Sequence, residues 1–193
     1  MNQVDEAVFF AAMYKALIDE DQSLRTLFEA NAPLYYKQHN GISCLYETTA
    51  VYLVFKQLLK EKFNYCLSWE YPYPGNTILK ADLALLRNNQ DCDSLVEFKI
   101  WTSEKGDEVR WDVMKYLRTS FAGGKYLAIV ELGGPDIIAN STYLSQMNPE
   151  MEILETKSFT TRFFDSSATK QLTDKSINLY FLKMKDSINQ DLS

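Results

Sequence analysis

Two strand-like segments carry charged residues where apolar ones would be the ordinary choice. One is Lys80-Ala81-Asp82-Leu83-Ala84-Leu85-Leu86, the other Ser94-Leu95-Val96-Glu97-Phe98-Lys99-Ile100-Trp101. Side chains alternate along a strand, so Val96, Phe98 and Ile100 take one face while Leu95, Glu97, Lys99 and Trp101 take the other. A carboxylate and an ammonium inside so apolar a segment are costly unless paired or used. If the two segments pair across the polar turn Arg87–Asp93, Asp82 comes near Glu97. Converging carboxylates repel unless a cation lies between them, and hard oxygen ligands of that kind select Mg²⁺ or Mn²⁺ over zinc or copper. The plainer possibilities are an edge-strand Asp82 facing solvent and a cross-strand surface ion pair of Glu97 with Lys99.

The elements that must position these residues can be read from periodicity. Residues 4–30 have helical spacing, with Asp21 a candidate cap for a second helix there. Residues 31–42, with Pro33, His39 and Asn40-Gly41, form a loop. Ser43 opens a helix to about Phe63. Strands follow at Leu67–Tyr71, Thr77–Leu86 and Ser94–Trp101. A loop, Thr102–Asp107, leads to a helix at Glu108–Phe121 and a strand at Lys125–Leu132. Gly133-Gly134-Pro135 breaks the chain. Glu152–Phe164 and Ser176–Met184 read as strands joined by a polar connector at Asp165–Asp174. A helix between the third and fourth strands implies a parallel crossover. The expected architecture is one α/β domain: an N-terminal helical arm (1–42), a core (43–132), and C-terminal strands (133–193) completing a mixed sheet flanked by helices.

The ordered set Asp82, then Glu97-Phe98-Lys99, resembles the PD-(D/E)xK nuclease superfamily, the restriction-endonuclease-like fold. Ala81 stands where that pattern has proline. A helix bearing an acidic residue precedes the strands in that family, and Glu47 fills the place. The family continues with a helix and a strand, matched by 108–121 and 125–132. Its exonuclease-like branch often carries Gln-x-x-x-Tyr on the later helix. Here Tyr116 is in place and Asp112 stands at the Gln position, so the Gln's role is not carried over. The resemblance implies Mg²⁺, with Mn²⁺ able to substitute, held by Asp82, Glu97 and the Phe98 backbone carbonyl, with Glu47 as a ligand of a second metal, directly or through water. It implies a catalytic set of Asp82, Glu97, Lys99 and Glu47, with Lys99 orienting or deprotonating a water.

Arg110, Lys115 and Arg118 form a basic patch after the expected site and are candidate nucleic-acid contacts. Tyr65, Trp69, Tyr71 and Tyr73 read as core and loop packing rather than a base-stacking platform. The chain has 193 residues and a net charge of −6, which disfavours a passive nucleic-acid coat. Within residues 1–30 six acidic residues face two basic ones, a net −4, so a local basic face elsewhere remains open. One histidine and three cysteines without a C-x-x-C pair argue against a zinc-thiolate site, a disulfide framework and a Ser-His-Asp triad, and fit a reducing cytoplasm. Cys44, Cys66 and Cys92 read as small buried hydrophobes. No apolar run is long enough to span a membrane.

The function expected from these readings is a metal-dependent nuclease hydrolysing phosphodiester bonds. DNA is the expected partner, in a restriction, defence or mobile-element endonuclease acting as a possible homodimer. The alternatives are a non-catalytic binding or assembly subunit of the same fold, and a structure-selective resolvase or repair nuclease.

Overall fold

The structure is a computed structural model and describes residues 1–30, 42, 46–87, 91–101, 106–133, 137–164 and 172–186. Helix α1 (Gln3–Ala30) and helix α2 (Glu47–Lys60) precede three strands, β1 (Cys66–Tyr73), β2 (Asn76–Arg87) and β3 (Asp91–Trp101). Then come α3 (Gly106–Leu117), β4 (Gly124–Leu132), α4 (Ile137–Met147), β5 (Met151–Phe164) and β6 (Leu172–Met184). The fold is α/β, with a six-stranded mixed sheet in the order β1-β2-β3-β4-β6-β5.

The first three strands form an antiparallel meander, and β3 pairs in parallel with β4. A parallel pair needs a crossover, and α3 supplies it. β6 returns antiparallel between β4 and β5, making the C-terminal hairpin part of the same sheet.

The alternation along β3 sorts its side chains into two cores. Val96 and Phe98 join the cluster under α1 and α2, with Phe9, Phe10, Met13, Val54 and Leu58. Leu95 and Trp101 join the opposite cluster, with Val109, Val113 and Tyr116 of α3. Each helix lays one apolar stripe on one face of the sheet, the arrangement that removes most apolar surface from water.

Several boundaries differ from the sequence reading. α1 is one continuous helix, and Asp21 caps nothing. Its buried carboxylate instead accepts the Ile42 N–H (2.9 Å) and the Thr161 hydroxyl. α2 starts at Glu47 after an extended Tyr46, and α3 stops at Leu117. Ile137–Met147 is a helix where only a chain break was read. Its stretch is rich in Ser, Thr, Asn and β-branched Ile, all middling helix formers, so docking rather than propensity sustains it. Leu144 is buried there, and Tyr143 stacks on Trp101 with centroids 6.0 Å apart. Cys66 is exposed and Cys92 only partly buried, contrary to the reading of all three cysteines as buried. Cys44, His39, Ser43 and most of the 31–42 loop lie outside the described residues, as do 102–105 and 165–171.

Candidate functional site

Asp82 and Glu97 meet because β2 and β3 pair with Leu83 opposite Val96, which puts the two acids in the adjacent position. The Asp82 Oδ2 also accepts the Phe98 N–H at 2.7 Å. That register sets the two carboxyl groups side by side, where they repel unless one of them retains a proton. Glu97 is buried at 2% exposure. That burial, followed by the charge of Asp82, pushes its pKa up to about 8. Burial also raises the Asp82 pKa. The carboxyl pair therefore carries about one negative charge near neutrality rather than two.

Glu97 is further held by the Tyr73 hydroxyl, which donates to Oε1, and by Lys115 Nζ at 3.3 Å. Burial and the Glu97 charge push the Tyr73 phenol well above its usual range, so Tyr73 stays a donor. Tyr116 completes the cradle. Its hydroxyl accepts the Glu97 N–H at 2.9 Å and donates to the Tyr126 carbonyl at 2.5 Å.

A second constellation stands beside the first. Lys99 Nζ lies 3.3 Å from Glu47 Oε2 and 3.2 Å from Asp112 Oδ2. Lys115 Nζ bridges to Asp112 Oδ1 at 2.6 Å. Glu47 Oε2 accepts the Ile100 N–H at 3.2 Å. Burial alone would lower the Lys99 pKa, but Asp112 and Glu47 outweigh it and hold the ammonium charged. Lys115 is kept charged in the same way by Glu97 and Asp112. Four carboxyl groups, from α2, β2, β3 and α3, thus alternate with two ammoniums.

All four residues of the expected set, Glu47, Asp82, Glu97 and Lys99, reach this cleft. They do not assemble as a carboxylate cage around a single point. Among the described residues no group of three metal-ligating side chains is placed to hold one ion. Glu47 turns to Lys99 and the Ile100 N–H, and Lys99 is pinned between two acids. Lys115, read as a nucleic-acid contact, lies inside the cleft on Glu97 and Asp112. Arg110 is a bidentate partner of Glu150, at 2.5 and 2.7 Å. Arg118 makes no ion pair among the described residues.

Sequence reasoning missed Tyr73 as a partner of Glu97 and Asp112 as a member of the cleft. Asp112 carried a usable signal: it lies three residues before Lys115 and four before Tyr116, on the helical face that turns toward β3. Acidic residues of α1 are engaged elsewhere, Asp5 with Tyr65 among them. Glu6 accepts from Tyr126 at 2.6 Å and lies 3.2 Å from Lys183, and Asp19 pairs with Lys15 at 2.7 Å.

No protein-family model matches this chain, and no curated protein does. Among solved structures, it is similar to a protein from Pyrococcus horikoshii provisionally named an RNA methyltransferase. The TM-score is 0.32 and the identity 11%, over 70% of this chain and 58% of that one. The match spans less than two thirds of that protein's length. So slight a likeness hands no activity to this chain. The functional name it bears is nevertheless not a nuclease's. The expectation of a metal-dependent nuclease, in its restriction, defence, mobile-element, resolvase or repair forms, is corrected accordingly. No helix among the described residues is long and apolar enough to cross a membrane.

Proposed function

We propose that the cleft binds a divalent cation together with a phosphate group of nucleic acid, on a core of the restriction-endonuclease-like kind. The fold reading is supported by the succession α2-β1-β2-β3-α3-β4, with Asp82 and Glu97-Phe98-Lys99 on one hairpin and β3 parallel to β4. Cleavage is no part of the proposed function.

One observation carries it: the half-buried Asp82 and the buried Glu97 stand side by side on paired strands, where burial raises both pKa values and favours a retained proton. A divalent cation is the chemical replacement for that proton, since it lets both groups ionise and removes their repulsion. Asp82, Glu97 and the Phe98 backbone carbonyl would hold Mg²⁺, or Mn²⁺ in its place, and Tyr73 and Lys115 orient Glu97 for it. The ion would add the positive charge that draws a phosphate oxygen into the cleft. Lys99 and Lys115 supply the remaining cations, each held charged by its acidic neighbours.

The test is thermal unfolding with and without Mn²⁺. Binding at a hundredfold excess over Kd stabilises by about 2.7 kcal/mol, roughly 5–10 °C for a domain of this size. Asp82→Asn should abolish most of that rise. An unchanged melting curve at millimolar Mn²⁺ would remove the reading.

A further inference from the structure

The outer face of α3 carries a groove that the cleft does not use. Its volume is about 330 Å³, and Arg110, Trp111, Met114 and Arg118 line it. Trp111 is 64% exposed, an unusual state for the largest apolar side chain. The inward face of the same helix explains why: Val109, Val113 and Tyr116 are buried in the core. Positions 111, 115 and 118 follow the i, i+4, i+7 spacing of one helical stripe. Lys115, in the middle of that stripe, reaches into the cleft to Glu97 and Asp112. The stripe therefore leads from the cleft, through Lys115, to an exposed indole and a guanidinium.

We infer that this stripe is a track for single-stranded nucleic acid, with a base stacked on Trp111 and a backbone phosphate on Arg118. The inference rests on the proposed binding of nucleic acid in the cleft and names the form of the ligand. Three observations favour it. The chain has a net charge of −6, so a polyanion must approach through a local positive surface. Of the two groove guanidiniums, Arg110 is neutralised by Glu150, while Arg118 makes no ion pair among the described residues. A second aromatic, Tyr46, is 81% exposed immediately before Glu47, which touches Lys99. Flat aromatic faces beside a guanidinium with no ion pair among the described residues suit unstacked bases on a phosphate backbone. A duplex keeps its bases stacked on one another and offers none to Trp111 without flipping. A docked protein helix would call for a longer apolar row than Trp111 and Met114 supply.

The test uses the full chain and labelled oligothymidylate of about 16 nucleotides, a duplex of equal length, and an abasic strand of equal charge. Binding is read by anisotropy and by quenching of indole emission. The oligothymidylate should bind more tightly than either control. Trp111→Ala should weaken it by roughly ten- to a hundredfold and remove most of the quenching, whereas Trp111→Phe should keep most of the affinity. Arg118→Ala should lower affinity and make the salt dependence shallower by about one ion. Equal binding of the abasic strand, tighter binding of the duplex, or an unaffected Trp111→Ala variant would each overturn the track. The Mn²⁺-dependent melting rise is measured on the same samples and should survive Trp111→Ala. Loss of oligonucleotide binding with that rise intact would sink the track and leave the cation site standing. Trp111-dependent binding without any Mn²⁺ response would do the reverse.

Discussion

Replacing Glu97 with Gln should make the protein more stable in mild alkali, and the size of the effect follows from the site. In the unfolded chain Glu97 loses its proton near 4.5, and in the folded protein at about 8. The folded state therefore retains a proton that the unfolded state has released. Stability is fully present below the unfolded value and is lost as pH rises through this window. Each unit of difference is worth about 1.4 kcal/mol, so the loss is on the order of 5 kcal/mol as an upper bound. Asp82, shifted the same way by burial, adds to the slope. A glutamine keeps the connections: its carbonyl accepts from Tyr73 and Lys115, and its amide donates to Asp82. It has nothing to ionise. The assay is urea unfolding in EDTA at pH 5 and pH 9. The variant and parent should lie close together at pH 5, and the variant should gain as much as roughly 2 M in midpoint at pH 9 for a slope of about 2 kcal/mol/M. If the gap between them is the same at both pH values, Glu97 does not hold a proton in the folded state and the shared-proton account of the cleft is wrong.

Tyr73→Phe deletes the hydroxyl that donates to Glu97 and leaves the ring packed against Tyr116. It should cost about 1–3 kcal/mol in the same unfolding assay, and a neutral result would show that Glu97 finds another donor. Asp21→Ala should cost about 2–4 kcal/mol, because it strands the buried Ile42 N–H and the Thr161 hydroxyl together; Asp21→Asn, which can still accept one bond, should cost less. Gly124→Ala should destabilise by about 1–3 kcal/mol, since the added methyl would stand 2.6 Å from a Tyr126 ring carbon and 2.8 Å from Ser94 Oγ; an unchanged melting temperature would mean that the start of β4 yields easily. Cys92, whose partial burial pushes its thiol up to about 11, should react with a maleimide at neutral pH far more slowly than a free cysteine, and rapid labelling would contradict that raised thiol.

Much of the core was legible because it is local. The period-two alternation of Ser94–Trp101 sorts Glu97 and Lys99 onto one face whatever surrounds them. The polar interval before Asp93 is short, which forces β2 and β3 into a hairpin and so brings Asp82 beside Glu97. The helix between β3 and β4 implies the parallel pair, and the structure has it. What a strand pattern does not contain is which groups face it from other elements. Lys99 ends between Glu47 of α2 and Asp112 of α3, and Glu97 between Asp82, Tyr73 and Lys115. Those partners lie from 13 positions (Lys99 to Asp112) to 52 positions (Glu47 to Lys99) apart along the chain. Only the packing of α2 and α3 across the end of β3 decides whether the carboxylates surround a metal, pair with lysines, or share a proton. The same is true of Asp21, an unremarkable helical acid in sequence, which becomes a buried acceptor because β5 brings Thr161 to it. Residue type and spacing determined which faces are apolar, that β2 pairs with β3, and that β3 and β4 run parallel. Tertiary structure decided how far each charge is removed from water and what stands against it, and those two quantities set the chemistry of the cleft.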